Sequence, residues 1–429
     1  MATCSSMKWS GSIGTPRSWR STKAPGKFKK TPLPARCSAG DRVFGKEPVD
    51  FEPTREQKEF GDRARRFAHE VVRPLTARVG GAAMFPPEIV GQLGALQLMS
   101  AALPAPDGGG GKGHVGYVLA LTEISKACAS LGAAVFVNNS LYCTTLLEFE
   151  KRDQRAKYLL PCASGEGIGS VPLNHPHSDP ANVGVRASRS GSGWILNGQQ
   201  PLFCNGLVPS HCVVPAETAE RGGATQISLF VLDLRDRAGI RWAPGEGPYH
   251  SETINLHLEN CELEGDALLG EAGKGTATLM KAAPKSWIGL AAHSIGVGRA
   301  LLGGALDFVF KTGPAGRVPF SSQAVQWALT DAALLLDAAE LLTLKAAWLA
   351  DRSKPFEKEA AMAKIYGADG AMKAALESVQ VMGGEGLSRI EPLWELMRHA
   401  KKCQVALENN LGMKGLVAGH LVRELKGSI

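Results

Sequence analysis

The segment Gln380-Val381-Met382-Gly383-Gly384-Glu385-Gly386, followed by Leu396-Met397-Arg398-His399-Ala400-Lys401, is the part of this chain whose residue types most directly suggest chemistry. A double glycine held between helical segments carries no side chain to keep a ligand away, so backbone amides can approach a phosphate or a flavin closely. A second glycine run, Gly108 to Gly111, offers the same capacity, with an ordinary surface loop as its plainer reading. His175 and His177 flank Pro176 and supply two nitrogen ligands, but no third ligand stands at metal spacing, so loop histidines without a metal are expected. The nine cysteines occur singly, with no CxxC pair and no Cys/His cluster, which points to reduced, mostly buried thiols rather than zinc or a disulfide framework.

Three regions must position these groups. From Thr54, with Arg55, Glu56 and Gln57 behind it as an N-cap and first turn, Phe60, Ala64, Phe67 and Val71 recur at helical spacing, and Pro74 is expected to close that helix. Further helical patterns run from Pro87 to Leu98, from Tyr117 through Leu131 to Glu148, and from Gln154 to Leu160, giving a helical region over 51–165. The period then shortens. Gly193 to Gly198 reads as a strand ending in a turn, and His211 to Ala216, Thr225 to Leu234 and Thr253 to Leu258 read as further strands of an antiparallel β domain over 166–272. After Gly273-Lys274-Gly275, four long apolar patterns near 275–312, 321–350, 356–382 and 393–425 predict a four-helix bundle over 273–425.

A chain of 429 residues with 44% hydrophobic content can bury substantial cores in two or three packed regions. No apolar run reaches the roughly 20 residues that span a bilayer, so no transmembrane segment is expected. The net charge of +7 is concentrated in residues 1–40, which hold eight basic side chains and no acidic one; that leaves 40 basic against 41 acidic residues beyond. The body is therefore near neutral and carries no footprint for nucleic acid. The Ser- and Arg/Lys-rich leader, residues 1–40, reads as an organelle transit peptide, mitochondrial or alternatively plastid, with a disordered basic tail as the other reading.

The glycine motif, together with landmarks along most of the chain, resembles the acyl-CoA dehydrogenase family. Glu56-Gln57 through Arg65-Arg66-Phe67-Ala68, Asn138-Asn139-Ser140, Ser164-Gly165-Glu166, Leu196-Asn197-Gly198, Leu268-Leu269-Gly270-Glu271 and Gln323-Ala324-Val325-Gln326-Trp327 follow the family's order over residues 51–425. The resemblance implies a mainly α protein with a β domain: an N-terminal helical domain, a middle antiparallel β domain and a C-terminal four-helix bundle, with FAD between the last two.

The same resemblance implies a reaction. A glutamate takes the α-proton of an acyl-CoA thioester while the β-hydride passes to flavin, and electrons leave through an electron-transfer flavoprotein. Carried over residue by residue, Ser178, Cys204, Gln323, Gln380, Gly383, Gly384 and Gly386 fall at flavin positions, and Ser251, Thr253 and Trp287 at substrate positions. In an ungapped register the family's catalytic glutamate falls on Leu407, and Glu408, one residue later, is the candidate base. The stretch Ala283 to Trp287, where some members place their base, has no carboxylate, and nitroalkane-type oxidases use an aspartate that is also missing near 407. Other positions depart as well: Leu202-Phe203-Cys204 stands for Trp-Ile-Thr, Thr312 for a phosphate-binding arginine, and Pro284 and Trp287 for CoA contacts. Two functions follow, an acyl-CoA dehydrogenase-like flavoenzyme with weakened or lost catalysis, or a catalytically silent structural or assembly subunit of a larger organellar complex. Either form is expected to build a homo-oligomer or to join a larger assembly.

Overall fold

Thr54 starts the first helix as its residue type predicts. Its Oγ1 accepts from the Gln57 amide at 3.3 Å, while Gln57 Oε1 accepts from the Thr54 amide at 3.0 Å, a reciprocal capping box. Helix α1 (Arg55–Phe67) buries Phe60 and Ala64. The computed structural model describes residues 52–79, 85–148, 152–172, 183–203, 207–221, 224–235, 238–244, 253–311, 318–387 and 393–426. His175, His177, Ser178, Cys204 and Ser251 lie outside the described residues, as does the leader.

Pro74 does not close the first helix. The chain widens into a π-helical stretch, Ala68–Val72, and continues as Arg73–Val79. Pro74 is the second residue of that last segment, where a missing N–H and a fixed φ are tolerated. Helix α2 (Glu88–Ala95) follows, and the glycine run then folds back on the loop before it. The amides of Gly110 and Gly111 donate to the carbonyls of Ser100 and Leu103, at 2.8 and 3.0 Å, and a Cβ on Gly109 would lie 2.2 Å from the Leu103 oxygen. These glycines serve close backbone packing, and their amides are not free for a phosphate.

Helices α3 (Gly113–Ala127) and α4 (Ala129–Phe136) lead into a second π-helical stretch, Val137–Cys143, that is buried throughout. Asn138 ties this stretch to its surroundings: Nδ2 donates to the carbonyls of Met99 (3.0 Å) and Cys162 (3.2 Å), and Oδ1 accepts from the Gly169 amide (2.7 Å). Gly169 opens strand β1 (Gly169–Ser170), so one buried amide joins the helices to the sheet.

The sheet contains β2 (Val185–Ser190), β3 (Gly193–Phe203), β4 (His211–Arg221), β5 (Ala224–Asp233), β6 (Ile240–Pro244), β7 (Thr253–Leu263) and β8 (Leu268–Leu269), in the order β6-β7-β3-β2-β4-β5-β8, with β1 beside β4. Two expectations are corrected here. Asn197-Gly198 is not a turn: β3 runs on to Phe203 through a bulge against β7, and Gly198 (φ +135°) sits where a Cβ would lie 2.1 Å from the Gly184 oxygen. The sheet is also not purely antiparallel, because β4 pairs in parallel with both β1 and β2. Strands β4 and β5 are buried on both faces. Cys212, Val214, Phe230 and Leu232 point into the core of the β domain, and Val213, Leu229 and Val231 alternate toward the helices, against Tyr142, Tyr158 and Leu279.

The C-terminal helical domain comprises α5 (Gly275–Val309), α6 (Gln323–Asp351), α7 (Glu357–Met382), α8 (Leu393–Val405) and α9 (Asn410–Lys426). Helix α5 is central and largely buried, and Gly289 lets it approach the π-helical stretch so closely that a Cβ would lie 2.2 Å from Ser140 Oγ. The fourth apolar pattern, expected as one helix over 393–425, is two. The backbone breaks after α8, where Leu407 and Glu408 take φ of +57° and +100°, and Asn409 Oδ1 caps α9 by accepting from the amides of Leu411 and Gly412, both at 3.0 Å.

Candidate active site

The double-sided burial of β4 and β5 and the close approach of α5 leave a cavity of about 360 Å³ between the β domain and the C-terminal helices. Leu141 and Thr145 line it from the π-helical stretch and the turn after it, Val213, Pro215 and Leu229 from the sheet, and Ala283, Ser286 and Trp287 from α5. Leu407 and Glu408 line it from the helix break, and Gly412, Met413 and Leu416 from α9. Glu408 is the one ionisable side chain among the described lining residues. Its carboxylate is half-buried at the mouth of apolar walls, within reach of a carbon acid held in the cavity.

The break changes the geometry expected from a continuous helix. There, a one-residue offset would turn Glu408 by about 100° from the position of Leu407. Outside the helix both residues reach the cavity, so the carboxylate and the leucine share it. Glu408 Oε1 accepts from Asn409 Nδ2 at 3.2 Å, and a Cβ on Gly412 would lie only 2.3 Å from that same oxygen. Gly412 thus leaves the space that the carboxylate fills. Sequence reasoning missed Gly412, because its place in the first turn of α9 follows from a helix break that the sequence reading did not place.

Trp287 is 5% exposed and lines the cavity, and its Nε1 has no hydrogen-bond partner among the described residues. Ser286 is anchored to the Ser140 carbonyl at 2.7 Å, and Tyr117 Oη lies 2.8 Å from Ser140 Oγ, so the wall that carries Trp287 is fixed to the π-helical stretch. Thr253 opens β7 opposite Phe203 and is buried; it is not among the described residues that line the cavity.

The glycine motif lies elsewhere. Val325 and Val381 share one apolar cluster with Val309, which gathers the start of α6 and the ends of α5 and α7 at one end of the bundle. Gln323, Gln380, Gly383 and Gly384 are exposed there, and Gly386 is buried. Nineteen residues of α7 separate Gly383 from the part of that helix beside Glu408, about 28 Å of helix. Within one chain the cavity and the glycine turn do not meet.

Both regions fit a flavin nucleotide in kind. The cavity opens between the β domain and the helical domain with apolar walls on both sides. Gly383 closes α7 at φ +60°, ψ −132°, and a Cβ on it or on Gly384 would meet nothing within 4 Å, so this turn exposes bare backbone.

A second cluster has the look of nucleophilic machinery. Cys162 Sγ lies 3.5 Å from His211 Nδ1, and Asp233 Oδ2 lies 3.9 Å from His211 Nε2. Burial pushes the Cys162 thiol up to about 12 and holds the His211 imidazolium below its ordinary range, which disfavours the thiolate that nucleophilic chemistry needs. All six cysteines among the described residues are buried and free.

Comparison with known proteins bears on the family and the fold. Residues 54–166 match the family model for the N-terminal domain of acyl-CoA dehydrogenases, and residues 273–406 match the model for their C-terminal domain; the second match stops one residue before Leu407. The human mitochondrial short-chain specific acyl-CoA dehydrogenase is 32% identical over 374 residues, which covers 84% of this chain and 89% of that protein. Butyryl-CoA dehydrogenase from Megasphaera elsdenii has the same fold, with a TM-score of 0.80 at 26% identity, over 87% of this chain and 100% of that one. A chain from the solved structure of the electron transferring flavoprotein of Acidaminococcus fermentans gives a TM-score of 0.81 at 30% identity, with the same coverage. On sequence and fold together, this chain belongs to the acyl-CoA dehydrogenase family.

Proposed function

We propose that this protein is an acyl-CoA dehydrogenase-type flavoenzyme in which Glu408 takes the α-proton of an acyl-CoA thioester. The observation that carries this reading is that, among the described residues, one carboxylate lines an apolar cavity at the junction of the β and helical domains. FAD, when bound, would supply the hydride acceptor. The chain itself holds the acyl group between Trp287, Leu141 and Met413 and receives the proton on the Glu408 carboxylate. Catalysis is expected to be weaker than in relatives that keep the family's usual residues, because Leu407 occupies the cavity beside the base and Thr312 lacks the phosphate-binding charge. Losing one charge-assisted contact of that kind costs roughly 1.5–3 kcal/mol. An electron-transfer flavoprotein is the proposed electron acceptor.

Those substitutions also favour the second reading, a silent structural subunit. The visible spectrum of the purified protein separates the two. Flavin bands near 450 nm that bleach when a short-chain acyl-CoA is added anaerobically support the enzyme, and a folded protein without flavin supports the scaffold. Residues 1–40, basic and free of acidic side chains, are proposed to direct import into mitochondria, the compartment of the similar human protein. Mature protein isolated from the organelle and still carrying Met1-containing peptides would overturn that part.

A further inference from the structure

We infer that Lys364 is a positioning residue: its buried ammonium holds the break between α8 and α9 in the one shape that delivers Glu408 to the cavity, an assignment that rests on Glu408 as base. Lys364 lies on α7 and is fully buried. Its Nζ donates to the carbonyl of Glu408 at 2.7 Å, to the carbonyl of Gln404 at 3.3 Å and to Asn410 Oδ1 at 2.7 Å, so all three ammonium hydrogens are used on the break. Asp369, further along α7, braces the same segment. Its Oδ1 accepts from Gln404 Nε2 at 2.8 Å and from Asn410 Nδ2 at 2.7 Å.

The strain that these contacts hold is visible in the backbone. Leu407 and Glu408 are consecutive non-glycine residues at positive φ, a conformation unfavourable for residues with a side chain that persists only where the surroundings impose it. Without Lys364 the carbonyls of Gln404 and Glu408 lose a charged donor, and the last turn of α8 is free to continue through residue 408. That would rotate the carboxylate out of the cavity. The clamp therefore acts on the orientation of the base rather than on substrate, and its loss should appear in kcat more than in KM.

The test compares the full-length flavin-loaded protein with its Lys364→Met and Asn410→Ala variants, the second removing a half-buried member of the clamp and so guarding against loss of folding in the first. Amide hydrogen exchange across residues 404–413 is measured beside anaerobic flavin reduction by butyryl-CoA. Expected is faster exchange confined to 404–413, with a fall in the reduction rate of up to about a hundredfold and KM changed less than about threefold. Unchanged exchange in that segment in both variants overturns the clamp, and so does faster exchange with an unchanged rate of reduction. If the wild type reduces no flavin with any acyl-CoA, the enzyme reading fails separately, and the exchange measurement still decides whether Lys364 fixes the break.

Discussion

Glu408 and Gly412 form a unit whose parts have no meaning alone. The carboxylate is placed by a backbone at positive φ, and the space it fills exists because residue 412 has no side chain. Gly412→Ala would set a Cβ 2.3 Å from Glu408 Oε1. The neighbour is the far end of a flexible side chain, so the fold should give way cheaply and the carboxylate should move instead. Expected is a fall of at least about tenfold in the rate of flavin reduction, with a melting temperature within about 2 °C of wild type. An unchanged rate would mean that Glu408 keeps its working position by another route. Trp287, named from the sequence as a pocket residue, does line the cavity, because it lies one place after Ser286, whose bond to Ser140 fixes that face of α5 against the π-helical stretch.

At the scale of elements, local signals were legible where local chemistry decides the outcome. Thr54 and Gln57 form their capping box as the spacing predicts, and the long apolar patterns of the C-terminal domain are helices. The break after α8 was not legible. Ala406, Leu407 and Glu408 favour helix, and the contacts of Lys364 and Asp369 with Gln404, Glu408 and Asn410, together with the Asn409 cap, hold the chain out of it. The bulge at Gly198 was misread as a turn for a related reason, since Asn-Gly marks hairpins in isolation, whereas here Asn197 Oδ1 accepts from the Asn260 amide across the sheet at 2.7 Å. Helix α6 carries a further element-scale feature. Trp327, Leu334 and Leu341 recur every seven residues and are 65, 63 and 57% exposed, on the helix whose first residue is Gln323. A stripe of this kind is expected to pair with a second copy of the chain. Leu334→Glu should then convert the wild-type oligomer to a smaller species by light scattering with unchanged helicity, and a wild type that is monomeric at micromolar concentration would contradict the pairing.

For the molecule as a whole, stability should fall on acidification through a buried histidine pair that the reaction does not use. His293 and His399 lie edge to face at 6.3 Å, with Phe136, Ser125 and Ser130 around them and Arg398 and Glu395 nearby. Burial, reinforced by the charge of His399, pushes His293 down to about 3, and burial with the Arg398 charge pushes His399 down to about 4. Both stay neutral in the folded state while their unfolded counterparts take protons near pH 6.5, so the unfolded state binds more protons and stability falls from about pH 6.5 toward 4. Each contributes roughly 1.4 kcal/mol per pH unit well below 6.5, and urea unfolding of His293→Gln and His399→Gln should each show a shallower pH slope than wild type. An identical slope in both variants would remove the pair as the cause. The pair, like Lys364, lies in the helical core that carries the cavity, and the measurement that tests the account most directly is made on that cavity. In anaerobic stopped-flow flavin reduction by butyryl-CoA, wild type should bleach, and Glu408→Gln, equal in size and still holding flavin, should lose at least about a thousandfold in rate because an amide cannot take the α-proton. Equal rates in the two proteins would contradict Glu408 as the base, and a wild type that holds flavin but never bleaches would contradict the dehydrogenase itself.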